Sequence, residues 1–298
     1  MANNPILKGK ISPQVTDNPW QSLRQFTSAR IALGRAGTSI PTHEMLAFQL
    51  DHARAKDAVH RALNIEDLVK QLGKQENIKQ HTPDLPMVVS SKVSNRFMYL
   101  QRPDLGRQLD EESWEKIQNY HDTNKANYDL SIVIADGLSS IAIQNHAAPV
   151  IDRLISLLCT GTEHHWSVAP ITIVSQGRVA CGDDVGECFK AKITLILIGE
   201  RPGLTSPDSM GLYITWQPVR GKQDSSRNCI SNIRPEGLGY EEACQKAYYL
   251  LKESFKRQIS GVDLKDRSVS DNGQVLENHS STNFLTSPKN NDRGNYHV

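Results

Sequence analysis

Residues 193–204 read ITLILIGERPGL. Ile193–Ile198 are apolar and largely β-branched, the pattern of a strand buried on both faces. The run stops at Gly199-Glu200-Arg201-Pro202-Gly203. Two glycines and a proline in so short a span force a tight turn. A charged pair therefore stands just past the carboxyl end of a buried strand, where open α/β sheets hold their ligands. The alternative for Glu200 and Arg201 is a solvated turn closed by a weak local ion pair.

Upstream, two more strand-like runs end in the same way. Asp129–Ala135 leads into Asp136-Gly137-Leu138-Ser139-Ser140, and Ala169–Val174 into Gln176-Gly177-Arg178-Val179. Each end couples glycine with polar residues, so a ligand can approach the backbone closely. Met87–Val93 is a further strand, Arg96–Leu100 an extended or turn segment, and a helix is expected around Asp110–Tyr120. Pro149 suits the first turn of the helix after Asp129–Ala135. Asp183 and Asp184 open a short helix to Lys190. Downstream, Leu212–Trp216 and Cys229–Ile233 are strands, and Tyr240–Arg257 is a long helix. This alternation implies an α/β fold built on a doubly wound parallel sheet with right-handed crossovers.

The sheet region spans 87–262. Residues 20–86 form a helical N-terminal region: a helix over Trp20–Leu33, a second opened by Pro41, and a third, polar segment to Leu72. A connection through Gly73–Gln80, Pro83 and Pro86 follows. The helices carry more apolar positions than a solvated appendage needs, so they are expected to dock on another protein, with His43, Glu44, Asp51 and Arg54 as a polar rim. Residues 1–19 read as a flexible arm. Residues 263–298 read as a disordered polar tail, too poor in apolar residues to offset ordering.

Composition excludes several function classes. Lys+Arg 34 against Asp+Glu 33 leaves a formal net charge of +1, which draws neither nucleic acid nor an acidic membrane. Aromatic residues are 6% of the chain, too few for base-stacking platforms. No apolar run approaches the roughly 20 residues of a membrane helix, and the start lacks a secretory h-region. The five cysteines are scattered without a CxxC, as suits reduced thiols in the cytoplasm. There is no G-x-G-x-x-G, phosphate loop or H-E-x-x-H, so neither a dinucleotide site nor a metal site is expected. Glu163-His164-His165 is read as surface. Asp136, Ser139 and His146 lack the G-x-S-x-G elbow of a nucleophilic triad. Glu200 has no second carboxylate beside it. No catalytic residue is assigned, and the residues alone describe a binder of an extended, weakly charged ligand.

Six segments are familiar as a collinear set: GRAGTSIPTHEMLAFQLDHARAKDAVH (34–60), YLQRPDLGRQLD (99–110), VIADGLSSIAI (133–143), QGRV (176–179), LILIGERPGL (195–204) and CISNI (229–233). Over about residues 20–262 the chain resembles the small subunit of ethanolamine ammonia-lyase. The resemblance implies a Rossmann-like domain preceded by a helical region. It implies a lyase that uses adenosylcobalamin to convert ethanolamine to acetaldehyde and ammonia, with the substrate held by a large barrel subunit. The cofactor would lie between the subunits of the hetero-oligomer. The family's cobalamin-contacting positions fall on Val179, Glu200 and Cys229, with Arg178 adjacent to the first. A corrin rimmed with amides, carrying ribose hydroxyls and one phosphate, suits a carboxylate acceptor and an arginine. Cys229 is read as a small packing residue, and the absence of D-x-H-x-x-G implies base-on binding. Some members carry an amphipathic N-terminal helix for packing into a bacterial microcompartment. The arm at 1–19 does not look like that helix, so cytoplasmic placement is expected and microcompartment packing stays open. The alternative function is a stand-alone nucleotide-dependent oxidoreductase on a similar fold, against which the missing glycine fingerprint argues.

Overall fold

The computed structural model describes residues 15–82, 85–161 and 164–268. By internal contacts the chain divides after Lys265, and only 266–268 of the second unit are described. Most of the expected arm (1–14) and tail (269–298) therefore lie outside the described residues.

The first unit runs α1 (Thr42–His60), α2 (Ile65–Leu72), α3 (Glu76–His81), β1 (Met87–Ser90), α4 (Arg96–Gln101), α5 (Glu111–Asn124) and β2 (Leu130–Ala135). It continues with α6 (Ser140–Thr160), β3 (Thr172–Ser175), α7 (Cys181–Cys188), β4 (Ile193–Gly199), β5 (Met210–Trp216), β6 (Arg227–Ile233) and α8 (Tyr240–Arg257). The six strands form one sheet in the order β1-β3-β2-β4-β5-β6. β1, β3, β2 and β4 are parallel, with Ile132 opposite Leu195 at the centre.

The expectation of a wholly parallel sheet is corrected at its other edge. β4 pairs antiparallel with β5, and β5 with β6. The links 200–209 and 217–226 are the reason. A parallel crossover needs about a dozen residues or more, usually with a helix, and neither link provides them.

β2 and β4 are buried along their whole length, as the apolar runs require. Leu130, Ile132 and Ile134 pack into one core with α6, α8, α2 and α3. Val133, Ala135, Ile196 and Ile198 pack into a second core with α5 and α7 on the opposite face. No helix among the described residues is long and apolar enough to cross a membrane.

Several local expectations are revised. Pro149 lies inside α6, which begins nine residues earlier, where the Ser139 hydroxyl caps Ala142 N at 3.3 Å. Burial of Ile143, Ile151, Leu154 and other apolar residues of α6 offsets the hydrogen bond that the proline cannot donate. Arg96–Gln101 is helical because Asn95 caps Met98 N at 3.0 Å. Gly73–Gln80, read as a connection, contains the start of α3. Asp152 of α6 secures it by accepting from Asn77 N at 2.9 Å and Asn77 Nδ2 at 2.9 Å. The helix expected over Trp20–Leu33 is a 3-10 helix that stops at Phe26.

α1 buries only Glu44 and Ala58. Glu44 and Asp51 are not free rim residues. Glu44 is paired with Arg24 at 2.6 Å and Asp51 with Arg30 at 2.8 Å, so both tie the preceding segment to α1.

Candidate functional site

The carboxyl ends of β2, β3 and β4 meet at one place. Gly137, just past β2, has φ +60°, and a Cβ there would sit 2.2 Å from the Gly199 carbonyl oxygen. A Cβ on Gly199 would sit 2.0 Å from the Ser139 oxygen. Only glycine lets these two strand ends approach so closely. A cavity of about 620 Å³ opens there, walled by Leu138, Val179, Ile198, Glu200, Arg178 and Tyr213, among others.

Glu200 follows the rigid β4, and its backbone N–H donates to the Ser209 carbonyl at 2.9 Å. Its Oε2 accepts from the Ser209 hydroxyl at 2.6 Å and from Asn232 N at 3.1 Å. Its Oε1 has no hydrogen-bond donor among the described residues. Glu200 and Arg201 form no ion pair, so the solvated-pair alternative fails on geometry. Arg201 is exposed on the cavity wall.

Arg178 is half-buried in the same wall. Its Nη2 donates to the Tyr99 carbonyl at 3.0 Å, and its guanidinium lies 4.1 Å from the Tyr99 ring centroid. Its Nε is buried with no hydrogen-bond partner among the described residues, an uncommon and costly state for a donor. Tyr99 is held in turn by donating to the Gly177 carbonyl at 3.1 Å. Arg107, Arg178, Arg201 and Arg227 line the cavity against Glu200 and Asp224. Arg227 is neutralised by Asp183 and by Asp224, the latter at 3.0 Å. Arg107 also reaches Asp224, at 3.3 Å. Arg178 and Arg201 have no carboxylate partner among the described residues, which leaves the cavity a surplus of positive charge.

Val179, Arg178 and Glu200 thus share the cavity. Cys229 lies outside its lining, opposite Tyr213 in the β5–β6 register. Tyr213 forms part of the wall. Cys229 is itself exposed on the edge strand β6, and desolvation of its sulfur raises the thiol above its ordinary range.

Asp136, Ser139 and His146 do not form a triad. The Ser139 hydroxyl donates to the Pro207 carbonyl at 2.7 Å, and His146 Nδ1 meets the Tyr240 hydroxyl at 2.6 Å. His164 is engaged with Asp129 at 2.9 Å. No group of three or more metal-ligating side chains occurs among the described residues.

Tyr99, Tyr213 and Arg227 also line the cavity, and no motif in the sequence singles them out. Tyr99 was obscured because Arg96–Leu100 read as non-helical. The Asn95 cap three residues before Met98 is the local signal for that helix.

Asp136 sits beneath the cavity. It accepts from Gly177 N at 3.1 Å and lies 3.7 Å from Arg96. Burial nonetheless raises its carboxyl to about 6, the neighbouring arginine only moderating the shift. A raised carboxyl pKa means the folded state holds a proton that the unfolded chain has released. This contribution to stability is complete below about pH 4 and is lost as pH rises to about 6. Asp136→Asn is therefore expected to remove that part of the pH dependence. Denaturant unfolding at pH 4, 5, 6 and 7 checks it: the stability difference, wild type minus variant, should fall as pH rises. A difference that does not vary with pH would mean that Asp136 titrates normally.

A family model described as ethanolamine ammonia-lyase light chain (EutC) matches residues 17–265. Among relatives, the ethanolamine ammonia-lyase small subunit of Azotobacter vinelandii is 49% identical over 253 residues, 85% of this chain and 90% of that protein. That of Ralstonia nicotianae is 50% identical over 253 residues, with the same two shares covered. That of Xanthomonas campestris pv. campestris is 48% identical over 252 residues, 84% of this chain and 88% of that protein.

Proposed function

The chain belongs to the ethanolamine ammonia-lyase light-chain family, and from that premise we propose that it is the small subunit of an adenosylcobalamin-dependent carbon–nitrogen lyase. In this reading the complex converts ethanolamine to acetaldehyde and ammonia. The large barrel subunit holds ethanolamine, and the cavity at the ends of β2, β3 and β4 takes part of the corrinoid. The parallel strands β1–β3–β2–β4 form the Rossmann-like half of the sheet, within a cofactor domain over 87–262. Residues 20–86 form the docking region for the large subunit.

The cavity's donors and acceptors fit such a ligand. Glu200 Oε1 is an uncommitted acceptor for an amide N–H or a ribose hydroxyl. The orphaned Arg178 Nε–H and the unpaired Arg201 suit the single phosphate of the nucleotide tail. Leu138, Val179 and Ile198 supply an apolar wall. At about 620 Å³ the cavity matches a drug-sized ligand, whereas a corrinoid is larger and needs a second protein surface. Cys229 takes no covalent part in this reading: it is an exposed thiol on β6, outside the cavity lining. When bound, the cofactor supplies radical initiation; this chain binds it, orients it and shields one side from water.

The observation that carries the reading is Glu200, rigidly placed in the cavity lining, with one oxygen committed to Ser209 and Asn232 and the other without a donor among the described residues. Co-expression with the cognate large subunit tests it. Acetaldehyde release is expected from the complex only when adenosylcobalamin is added, and none from the purified chain with the same additions. Turnover by the chain alone, or a complex indifferent to the cofactor, would overturn the assignment. Binding of NAD by the chain alone would favour the oxidoreductase alternative.

A further inference from the structure

Arg96 stands where three parts of the fold meet. It is the first residue of α4, whose N-terminus is fixed by the Asn95 cap. Its Nε donates to the Val59 carbonyl at 2.7 Å, in the last turn of α1. That carbonyl has no helical partner of its own, because the last four of a helix never do. Its Nη1 donates to the Gly137 carbonyl at 2.8 Å and lies 3.7 Å from Asp136. Its guanidinium stacks 4.6 Å from the Tyr99 ring centroid, the same ring that carries Arg178 at 4.1 Å. Gly137, Tyr99 and Arg178 all line the cavity. The end of α1 has a second anchor, the Ser140 hydroxyl on the Arg61 carbonyl at 2.7 Å. The C-terminal turn of an otherwise exposed helix is thus joined through one planar side chain to a wall of the cavity.

We propose that Arg96 is a positioning residue that couples the end of α1 to the cavity, so that occupation of the cavity and ordering of α1 reinforce one another. The proposal rests on the corrinoid reading of that cavity. The coupling needs a fork. One guanidinium edge holds Val59, another holds Gly137, and its plane lies against Tyr99; an ammonium offers one point charge and no plane. Coupling of this kind is reciprocal: whatever steadies α1 tightens the cavity by the same factor that a cavity ligand steadies α1.

Hydrogen exchange on the co-expressed complex tests this, with hydroxocobalamin as the probe. Adding it to wild type is expected to slow exchange in cavity segments 137–139 and 176–180, and also at 57–61, which lie outside the cavity lining. In Arg96→Lys the slowing at 57–61 is expected to disappear while the cavity segments keep theirs. The apparent Michaelis constant for adenosylcobalamin should rise about tenfold in this variant, with that for ethanolamine unchanged. Slowing at the cavity segments but not at 57–61 in wild type overturns the coupling and leaves the corrinoid reading intact. No slowing at either place overturns the corrinoid reading, and the proposal with it. Slowing at 57–61 that persists in Arg96→Lys at wild-type size assigns the coupling to another path and overturns the role of Arg96. The wild-type measurement needs no variant, and Tyr99→Leu, which removes the stacking ring, is the second test if Arg96→Lys does not assemble.

Discussion

Glu200→Gln is expected to raise the apparent Michaelis constant for adenosylcobalamin about tenfold to a hundredfold in the reconstituted complex, because a charge-assisted hydrogen bond contributes roughly 1.5–3 kcal/mol. The constant for ethanolamine should not change, since the substrate belongs to the other subunit in the proposed arrangement. Both donors that hold Glu200 converge on one oxygen, Oε2, which accepts from Ser209 and Asn232. An amide oxygen can occupy that place and keep both bonds. The amide NH₂ then falls where Oε1 stood, and an open acceptor becomes a donor. The variant therefore retains the anchor and the shape of the turn while reversing the polarity presented to the cavity. Ser209→Ala is the control. It removes one anchoring donor, leaves the charge in place, and should cost the cofactor less than Glu200→Gln does. An unchanged cofactor constant in an intact Glu200→Gln complex would remove Glu200 from the set of cofactor ligands.

Leu46→Glu is expected to weaken association with the large subunit about a hundredfold or more, the range of a central interface residue, without lowering the thermal stability of the chain. α1 carries Met45 50%, Leu46 64%, Phe48 42% and Leu50 51% exposed. Trp20 at 56% and Phe26 at 65% stand on the segment that precedes it. A 19-residue helix that buries only Glu44 and Ala58 has little tertiary packing to sustain it. So many exposed large apolar residues in one region fit the proposed docking surface for the large subunit. The segment before α1 is held to it by polar contacts, Arg24–Glu44 and Arg30–Asp51, which leave the apolar side chains outward. Placing a carboxylate at 46 does not disturb the chain's own core, because Leu46 is not in it. Against an apolar partner surface the same charge must be desolvated without compensation. Co-purification of the Leu46→Glu chain with the large subunit at wild-type yield and affinity would move the interface elsewhere.

Much of this protein is legible from local pattern. The run Ile193–Ile198 announces a strand buried on both faces, because an unbroken, largely β-branched apolar run suits a strand packed on two sides. The glycine-bearing ends after β2, β3 and β4 mark the edge at which the cavity lies, and Tyr240–Arg257 is read to its observed limits as α8. These features depend on residue type and short-range period, which survive without knowledge of neighbours. Pro149 shows where that logic stops: local preference places it at a helix start, and the burial of α6 between the sheet and α8 overrides the preference. The direction of β5 and β6 is an intermediate case. Their apolar pattern says strand and nothing about direction, yet the short links 200–209 and 217–226 already forbid parallel crossovers. What only the tertiary structure decides is which distant side chains meet. Arg178 on Tyr99, Glu200 on Asn232, and Arg96 between Val59 and Gly137 join residues from 32 to 79 positions apart. No periodicity encodes such pairs, because a side-chain contact across elements is set by how two packed faces fit, and that fit is a property of the whole core.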